Sequence, residues 1–176
     1  VSNENIKQVS EQPGVHMAEF SPDLDYFIDT HSALDSPPKK DLFKRSGELV
    51  ATISAHDLRQ YTLPKVTTDF MPLKTRDGVV LNARLTRPRA LAPDQKYPVL
   101  VYVYGGPGAQ VVKNGFRTKY NPWMNLLASR GILVFSVDGR GTFGRGHEFE
   151  TAIHRRLGEI ELEDQLAGIA YLKSLP

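Results

Sequence analysis

The sequence predicts an α/β fold whose first third is all β. Residues 1 to about 60 contain short β-rich runs separated by turn signals rich in Ser, Pro, Gly and Asp. From about residue 66, apolar runs of strand length alternate with segments in which apolar residues recur at helical spacing. This change of pattern predicts a domain boundary near residue 60, between a first segment, 1–60, and a second segment, 61–176.

The first segment is expected to form four short antiparallel strands. Their expected positions are Val15 to Phe20, Tyr26 to Thr30, Leu42 to Lys44 and Leu49 to Ile53. Ser21-Pro22-Asp23 and Ser46-Gly47 are turn signals between strands, and Ser36-Pro37-Pro38 is expected to interrupt the chain. Four strands in about 40 residues is the size of one β-propeller blade.

The second segment is expected to open a sheet that is covered by helices. Its expected elements are a hairpin of Val66 to Leu73 and Val79 to Arg87, a strand Tyr97 to Tyr104, a helix Asn121 to Arg130, a strand Ile132 to Val137 and a helical stretch Glu148 to Leu175. The run Tyr97 to Tyr104 is typical of a strand buried on both faces. A hairpin followed by strand, helix, strand, helix is how an α/β-hydrolase sheet begins.

The helices should bury their apolar stripes against that sheet. The residues expected on those stripes are Trp123, Leu126 and Leu127 in the first helix and Leu162, Leu166, Ile169 and Ala170 in the second.

Composition excludes several classes of function. The 176 residues are 40% hydrophobic and 24% charged, with a net charge of +2 and no long run of Lys and Arg, so no nucleic-acid partner is expected. The absence of cysteine excludes disulfides, thiolate zinc sites and a cysteine nucleophile. Apolar runs are too short to span a membrane. His147 and His154 have poor spacing for a metal site, and no metal or cofactor is expected.

The first candidate for chemistry is the loop Tyr102-Val103-Tyr104-Gly105-Gly106-Pro107-Gly108. It follows a predicted strand, where glycines allow a sharp turn and the close approach of a substrate. In α/β-hydrolases the equivalent loop helps to build the oxyanion hole. The hydroxyl of Tyr104 could donate to a developing alkoxide. The same residues are also compatible with a Gly-rich turn that carries a packed tyrosine.

The second candidate is the loop Asp138 to Gly146, which also follows a strand. Gly139, Gly141 and Gly144 match the dinucleotide fingerprint Gly-x-Gly-x-x-Gly. That fingerprint requires an acidic residue after a further strand, whereas Glu159 and Glu161 lie in a helical pattern. A glycine-rich loop at the edge of a sheet is the alternative, with Arg140 and Arg145 in ion pairs.

Two further features bear on chemistry. Arg155-Arg156-Leu157-Gly158-Glu159, followed by Glu163-Asp164, is either a solvated helix start or an ion-pair network. No serine lies in Gly-x-Ser-x-Gly, so these residues contain no nucleophile elbow and no recognisable catalytic triad.

Four stretches carry a family resemblance. They are Phe20-Ser21-Pro22-Asp23; Tyr97-Pro98-Val99-Leu100 leading to Tyr104-Gly105-Gly106-Pro107; Ser136-Val137-Asp138-Gly139-Arg140-Gly141; and His154-Arg155-Arg156-Leu157-Gly158 with Glu163-Asp164-Gln165. In order and spacing they resemble the prolyl oligopeptidase family of serine peptidases, especially its dipeptidyl peptidase IV-like branch. The run from Tyr104 to Gln165 is the more specific part.

The resemblance implies a β-propeller that caps an α/β-hydrolase domain. Residues 1–60 would then be the terminal blade and residues 61–176 the first part of the peptidase domain, truncated before the nucleophile. Tyr104 matches the family's oxyanion-hole tyrosine. The nucleophile, Asp and His of the triad, and the acids that bind a substrate's amino terminus, would lie outside these residues. The segment alone is therefore expected to be inactive.

For the full-length parent, the resemblance implies a peptidase that releases N-terminal dipeptides of the Xaa-Pro type from peptide substrates. Relatives are often exported, to the periplasm or the extracellular space, and often homodimeric. Two alternatives stay open: an acyl-peptide hydrolase or esterase of the same fold, and a non-catalytic binding protein that carries a propeller.

Overall fold

The computed structural model describes residues 7–59, 65–119 and 121–175, which form two compact units. The first unit contains the described residues up to 59 together with Lys113–Lys119, and the second contains residues 65–112 and 121–175. The predicted boundary near residue 60 lies outside the described residues. Each unit has one four-stranded sheet.

The sheet of the first unit is an antiparallel meander in the order β1-β2-β3-β4. Its strands are β1 (Val15–Phe20), β2 (Tyr26–Ala33), β3 (Ser36–Lys44) and β4 (Leu49–Ala55). The turn before β2 is closed by the hydroxyl of Ser21, which donates to Asp23 at 2.6 Å. The four predicted strands are therefore confirmed, with longer β2, β3 and β4.

The predicted interruption at Ser36-Pro37-Pro38 is wrong, because these residues begin β3. A two-residue turn, Leu34-Asp35, joins β2 to β3, and Ala33 pairs with Ser36. The β3–β4 pairing starts only at Lys39, opposite Ala55. Proline cannot donate a ladder hydrogen bond, and here both prolines lie beyond the β3–β4 ladder and beside an irregularity in the β2–β3 pairing.

One face of the first sheet is the more buried. Along β2 the buried residues alternate with less buried ones, and Phe27, Asp29 and His31 point to the same side. Phe27 lies between Phe20 and Phe43, with ring centroids 5.3 and 5.2 Å away. These cross-strand aromatic contacts set the register of β1, β2 and β3.

The segment Lys113–Lys119 belongs to the first unit although it lies far along the chain. The Asn114 side-chain oxygen accepts from the backbone N–H of Leu34 at 3.1 Å. The segment ends in the short helix α1 (Phe116–Lys119). Nothing in the local composition of these residues predicts this association.

The second unit contains a mixed sheet in the order β5-β6-β8-β7. Its strands are β5 (Val66–Lys74), β6 (Val80–Pro88), β7 (Val99–Val101) and β8 (Leu133–Asp138). β5, β6 and β8 pair antiparallel, whereas β7 and β8 are parallel. The helix α2 (Pro122–Ser129) lies in the crossover between β7 and β8, as a parallel pair requires.

The core of the second unit is apolar and lies on β5, β6 and β8. Its buried residues are Leu73, Leu81, Ala83, Leu85, Phe135 and Val137. Ala167, Tyr171 and Leu172 of α4 (Ile160–Ser174) pack against this cluster. Full burial of each large side chain contributes about 1.5–3 kcal/mol, so this cluster is the main stabilising element of the unit.

The predicted strand Tyr97 to Tyr104 is wrong in its length and its burial. β7 covers only three residues, and none of them is fully buried. The Tyr102 N–H still donates to the carbonyl oxygen of Phe135 at 2.8 Å, so the chain leaves the sheet just after this residue.

The predicted continuous helical stretch is divided into α3 (His147–Thr151) and α4. Arg155 and Gly158, in the connection, have left-handed φ angles of 59° and 86°, which end a right-handed helix. The predicted apolar stripes are also wrong in part. Trp123, Leu126, Leu162 and Leu166 are exposed, whereas Met124, Asn125, Ala128, Ile160, Glu161, Asp164 and Gly168 are buried.

Candidate active site

Tyr104 lies in the loop that leaves β7, at the edge of the sheet. Its side chain is 56% exposed, so it is not part of the core. The ring lies over Gly106, where a Cβ atom would be 3.2 Å from Cε1 and 3.5 Å from the hydroxyl oxygen of Tyr104. A side chain at position 106 would therefore displace the tyrosine, which is a physical reason for glycine there.

The loop that carries Tyr104 is attached to β8 and to the turn that follows β8. The N–H of Gly108 donates to the carbonyl oxygen of Gly141 at 3.0 Å. The Asp138 carboxylate accepts from the N–H of Val111 at 2.8 Å and from the N–H of Val112 at 3.1 and 3.2 Å. Tyr104 is thus on a stretch of backbone held at both ends.

Asp138 is the last residue of β8 and is 3% exposed. Beside it on β6 lies Arg84, which is also buried and donates from Nη2 to the hydroxyl of Ser136 at 3.4 Å. Burial lowers the pKa of Arg84, and the charges of Asp138 and Tyr102 oppose that shift. A buried guanidinium and a buried carboxylate therefore lie two residues apart along the β6–β8 ladder.

Arg140, in the turn after β8, is the centre of an ion-pair network. Its guanidinium donates to the buried Asp164 of α4 and, from Nη1, to Asp77 Oδ2 at 2.7 Å. The backbone N–H of Arg140 also donates to Asp164 Oδ2, at 2.7 Å. The hydrogen bond to Asp164 raises the pKa of Arg140, whereas partial burial by itself would lower it. The network joins the β5–β6 turn, the β8 turn and α4.

The glycine-rich loop 139–146 has the geometry of a packed turn. A Cβ atom on Gly141 would overlap the Ile153 side chain, and one on Gly139 would lie 3.1 Å from Asp164 Cβ. The expected ion pair of Arg140 is confirmed, whereas Arg145 forms no ion pair with any residue that the structure describes. Arg145 donates to the carbonyl oxygen of Val80 at 2.7 Å and lies 4.2 Å over the ring of Phe149.

The charged stretch after α3 is divided between two environments. Arg156 pairs with Glu159 at 3.1 Å on the surface, with both side chains more than half exposed. Asp164 instead belongs to the buried Arg140 pair. Glu161 accepts from the N–H of Gly158 at 2.9 Å and so fastens the turn before α4.

Across residues 7–59, 65–119 and 121–175, the structure has no group of three or more His, Cys, Asp or Glu side chains placed to hold a metal ion. In the same ranges, no helix is long and apolar enough to cross a membrane. His147 and His154 are both exposed. Tyr104, the candidate predicted from the sequence, lies on a loop at the edge of a mixed sheet.

The sequence pattern predicts Tyr104 as a candidate but does not predict Asp138 as a structural partner of its loop. The available signal was an acidic residue at the end of a buried strand, directly before a glycine turn. Such a residue is at the loop edge of the sheet, where it can accept from backbone N–H groups. The pairing of Arg140 with Asp164 had no such signal, because these residues are 24 positions apart.

The chain is similar to proteins of the prolyl oligopeptidase family. The model of the prolyl oligopeptidase family matches residues 118–176. The chain is similar to dipeptidyl peptidase 8 of Mus musculus, with 34% identity over 90% of this chain and 19% of the relative. It is also similar to dipeptidyl peptidase 4 of Trichophyton equinum, with 33% identity over 86% of this chain and 20% of the relative. The chain thus spans about a fifth of the length of these relatives.

Two solved structures resemble most of the chain. One is dipeptidyl peptidase 4 of Porphyromonas gingivalis, with a TM-score of 0.85, 31% identity, and coverage of 97% of this chain and 24% of that one. The other, assigned as a dipeptidyl aminopeptidase IV of Bacteroides ovatus, has a TM-score of 0.81, 37% identity, and coverage of 93% of this chain and 23% of that one. The chain therefore has the fold of the matching part of these proteins.

Proposed function

We propose that these residues are a segment of a serine-type dipeptidyl peptidase, in which Tyr104 is an oxyanion-hole donor. The observation that carries this proposal is the exposed Tyr104 side chain on a loop that β8 and its turn hold at both ends. The relatives named dipeptidyl peptidases support the substrate class: peptides from which an N-terminal dipeptide, such as Xaa-Pro, is removed.

The domain assignment is part of the same proposal. Residues 1–60 would be the terminal propeller blade, and the four-stranded meander β1 to β4 supports this assignment. Residues 61–176 would open the α/β-hydrolase domain. The support is the antiparallel hairpin β5–β6 beside a parallel β7–β8 pair joined through a helix.

The proposed mechanism uses groups from this segment and from the rest of the full-length protein. A serine activated by His and Asp, all three outside these residues, attacks the scissile carbonyl. Negative charge then develops on the carbonyl oxygen, and the Tyr104 hydroxyl donates a hydrogen bond to it. The exposed side chain is accessible to a substrate, and the backbone of its loop is attached to β8 and to the turn after β8.

The test is the substitution Tyr104→Phe in the full-length protein, with release of Xaa-Pro dipeptides as the assay. Loss of one oxyanion donor is expected to lower kcat by about 10²–10³-fold, with an unchanged unfolding midpoint. Tyr97→Phe is the matched control. It removes a hydroxyl that accepts from the N–H of Ala92 at 2.8 Å, away from the Tyr104 loop.

Equal turnover of the Tyr104→Phe and Tyr97→Phe variants would remove Tyr104 from the mechanism. A parallel panel of N-acylated peptides and simple esters tests the substrate class, since preferential cleavage of these would indicate an acyl-peptide hydrolase or esterase. No hydrolysis of any substrate would favour a binding protein. Labelling of the isolated 176-residue segment by a fluorophosphonate would contradict its proposed inactivity.

A further inference from the structure

The loop that carries Tyr104 has two kinds of attachment. At its start, the Tyr102 N–H extends the pairing with β8 by one residue, through the carbonyl oxygen of Phe135. After the glycines, the Gly108 N–H donates to the carbonyl oxygen of Gly141. These two attachments are backbone to backbone and are nearly independent of side-chain identity.

The third attachment depends on one side chain. The Asp138 carboxylate accepts from two successive backbone N–H groups, those of Val111 and Val112, with both of its oxygens in use. Because the carboxylate is buried, these charge-assisted hydrogen bonds are weakly screened by water. The side chain of Asp138 therefore attaches the stretch after the Tyr104 turn to the end of β8.

Asp138 itself is held in place by the sheet. It ends β8 opposite Asn82 of β6, and two residues earlier Ser136 is opposite Arg84. Arg84 is buried between α2 and β8 and contacts the sulfur of Met124 and the hydroxyl of Ser136. The strand β8, with Arg84 beside it, is therefore a suitable support for Asp138 as a group that positions a loop.

We infer that Asp138 is a positioning residue for the oxyanion hole: its carboxylate fixes the loop 102–112 and, through it, the hydroxyl of Tyr104. This inference rests on the proposed function, because it gives Asp138 no direct contact with substrate. It assigns to Asp138 an effect on turnover that acts only through Tyr104.

The test is a double-mutant cycle in the full-length protein with Asp138→Asn and Tyr104→Phe. The amide is isosteric but neutral, and one of its two terminal atoms is a donor that faces N–H groups. A small displacement of a catalytic group lowers turnover strongly, so Asp138→Asn is expected to lower kcat by about 10–100-fold with little change in KM. In the Tyr104→Phe background the same change should lower kcat by less than about twofold, because the two residues act as one unit.

Asp69→Asn is the matched control. It removes a carboxylate that accepts from Arg87 at 2.6 Å between β5 and β6, in the same unit but not in the loop. If Tyr104→Phe leaves kcat unchanged, the proposed function fails. Only the positioning inference fails in two other cases, in both of which Tyr104→Phe lowers kcat. In the first, Asp138→Asn has no effect on kcat. In the second, Asp138→Asn lowers kcat by the same factor in the unsubstituted protein and in the Tyr104→Phe variant.

Hydrogen exchange gives a readout that does not need activity. In Asp138→Asn the amides of Val111 and Val112, and the stretch 103–108, should exchange faster, while the core of β6 and β8 should not change. Unchanged exchange across 103–112 overturns the inference. If Asp138→Asn does not fold, Val111→Pro removes one of the same hydrogen bonds from the loop side and is tested in the same cycle.

Discussion

The guanidinium of Arg140 and the carboxylate of Asp164 form a bidentate ion pair, with Nη2 2.7 Å from Oδ1 and Nε 3.1 Å from Oδ2. The Asp164 side chain is fully buried, and that of Arg140 is 11% exposed. Two parallel hydrogen bonds give this pair both strength and a fixed geometry. It holds α4 against the turn that follows β8.

The first prediction concerns the removal of one partner from this pair. Asp164→Ala leaves a largely buried guanidinium without its main acceptor and should lower the free energy of unfolding by about 3–5 kcal/mol. Chemical denaturation of the full-length protein measures this. The adjacent variant Glu163→Ala is the control, because Glu163 is 61% exposed and 3.9 Å from Arg140. It should cost less than about 1 kcal/mol, and equal losses would contradict the prediction.

The second prediction is a pH dependence that involves Asp77. The hydrogen bond from Thr75 and the charge of Arg140 hold the pKa of Asp77 below its ordinary value of 3.8. Because the pKa is lower in the folded state, the stabilisation by Asp77 is fully present above about pH 4 and is lost as the pH falls through the folded pKa.

The thermal unfolding midpoint of Asp77→Asn, compared with the unsubstituted protein, measures this effect. The variant should be less stable at pH 7, and the difference should shrink below pH 4. A difference that grows on acidification would have the wrong sign. Asp25, an exposed acid in the other unit, is the control position for Asp→Asn and should give a much smaller difference at either pH.

The elements that could be predicted from the sequence are those set by local chemistry. Ser21-Pro22-Asp23 and Ser46-Gly47 are turns because their side chains and φ preferences favour them whatever lies nearby. The α2 helix ends at Ser129, two residues before Gly131, whose left-handed φ of 83° is that of a glycine stop. The prolines of β3 led to a wrong prediction of a chain interruption, because the effect of a proline depends on the neighbouring strand. The local sequence does not reveal that strand.

The parts that could not be predicted depend on distant partners. Asp77, Arg140 and Asp164 meet across 63 and 24 positions of sequence, and no spacing rule relates them. The burial of Asp164 on α4, in place of the expected Leu162 and Leu166, follows from that ion pair. Tyr104 could be predicted as a candidate because a glycine loop after a strand is a local pattern, whereas the attachment of its loop to Asp138 is a property of the sheet.

The third prediction concerns the start of α2. The side-chain oxygen of Asn121 accepts from the N–H groups of Trp123 and Met124, both at 3.2 Å, and so caps the helix. Asn121→Ala should lower the free energy of unfolding by about 1 kcal/mol, whereas Asn121→Ser should retain most of it. Ser129→Ala at the exposed end of the same helix is the control. A loss as large at Ser129 would show that the effect is not specific to the cap, because alanine is a better helix former than serine.

The last prediction separates packing from backbone strain in the glycine-rich loop. Gly141 and Gly144 have similar left-handed φ angles, 94° and 85°, so substitution by alanine strains the backbone equally at both. They differ in their surroundings. A Cβ atom on Gly141 would overlap the Ile153 side chain and lie 3.1 Å from its Cγ1, whereas one on Gly144 would have no atom within 4 Å. Gly141→Ala should therefore destabilise the protein by about 1–3 kcal/mol more than Gly144→Ala, in chemical denaturation of the full-length protein.

This difference also tests how the turn after β8 supports the Tyr104 loop. The carbonyl oxygen of Gly141 accepts from the N–H of Gly108, so a backbone shift that relieves the clash with Ile153 would lengthen that hydrogen bond. Gly141→Ala should consequently lower kcat in addition to stability, and Gly144→Ala should lower neither by a comparable amount. Equal stability losses at the two positions would mean that Ile153 moves aside freely. In that case the hydrogen bond from Gly108 to Gly141 need not lengthen, and Gly141→Ala should then affect kcat no more than Gly144→Ala does.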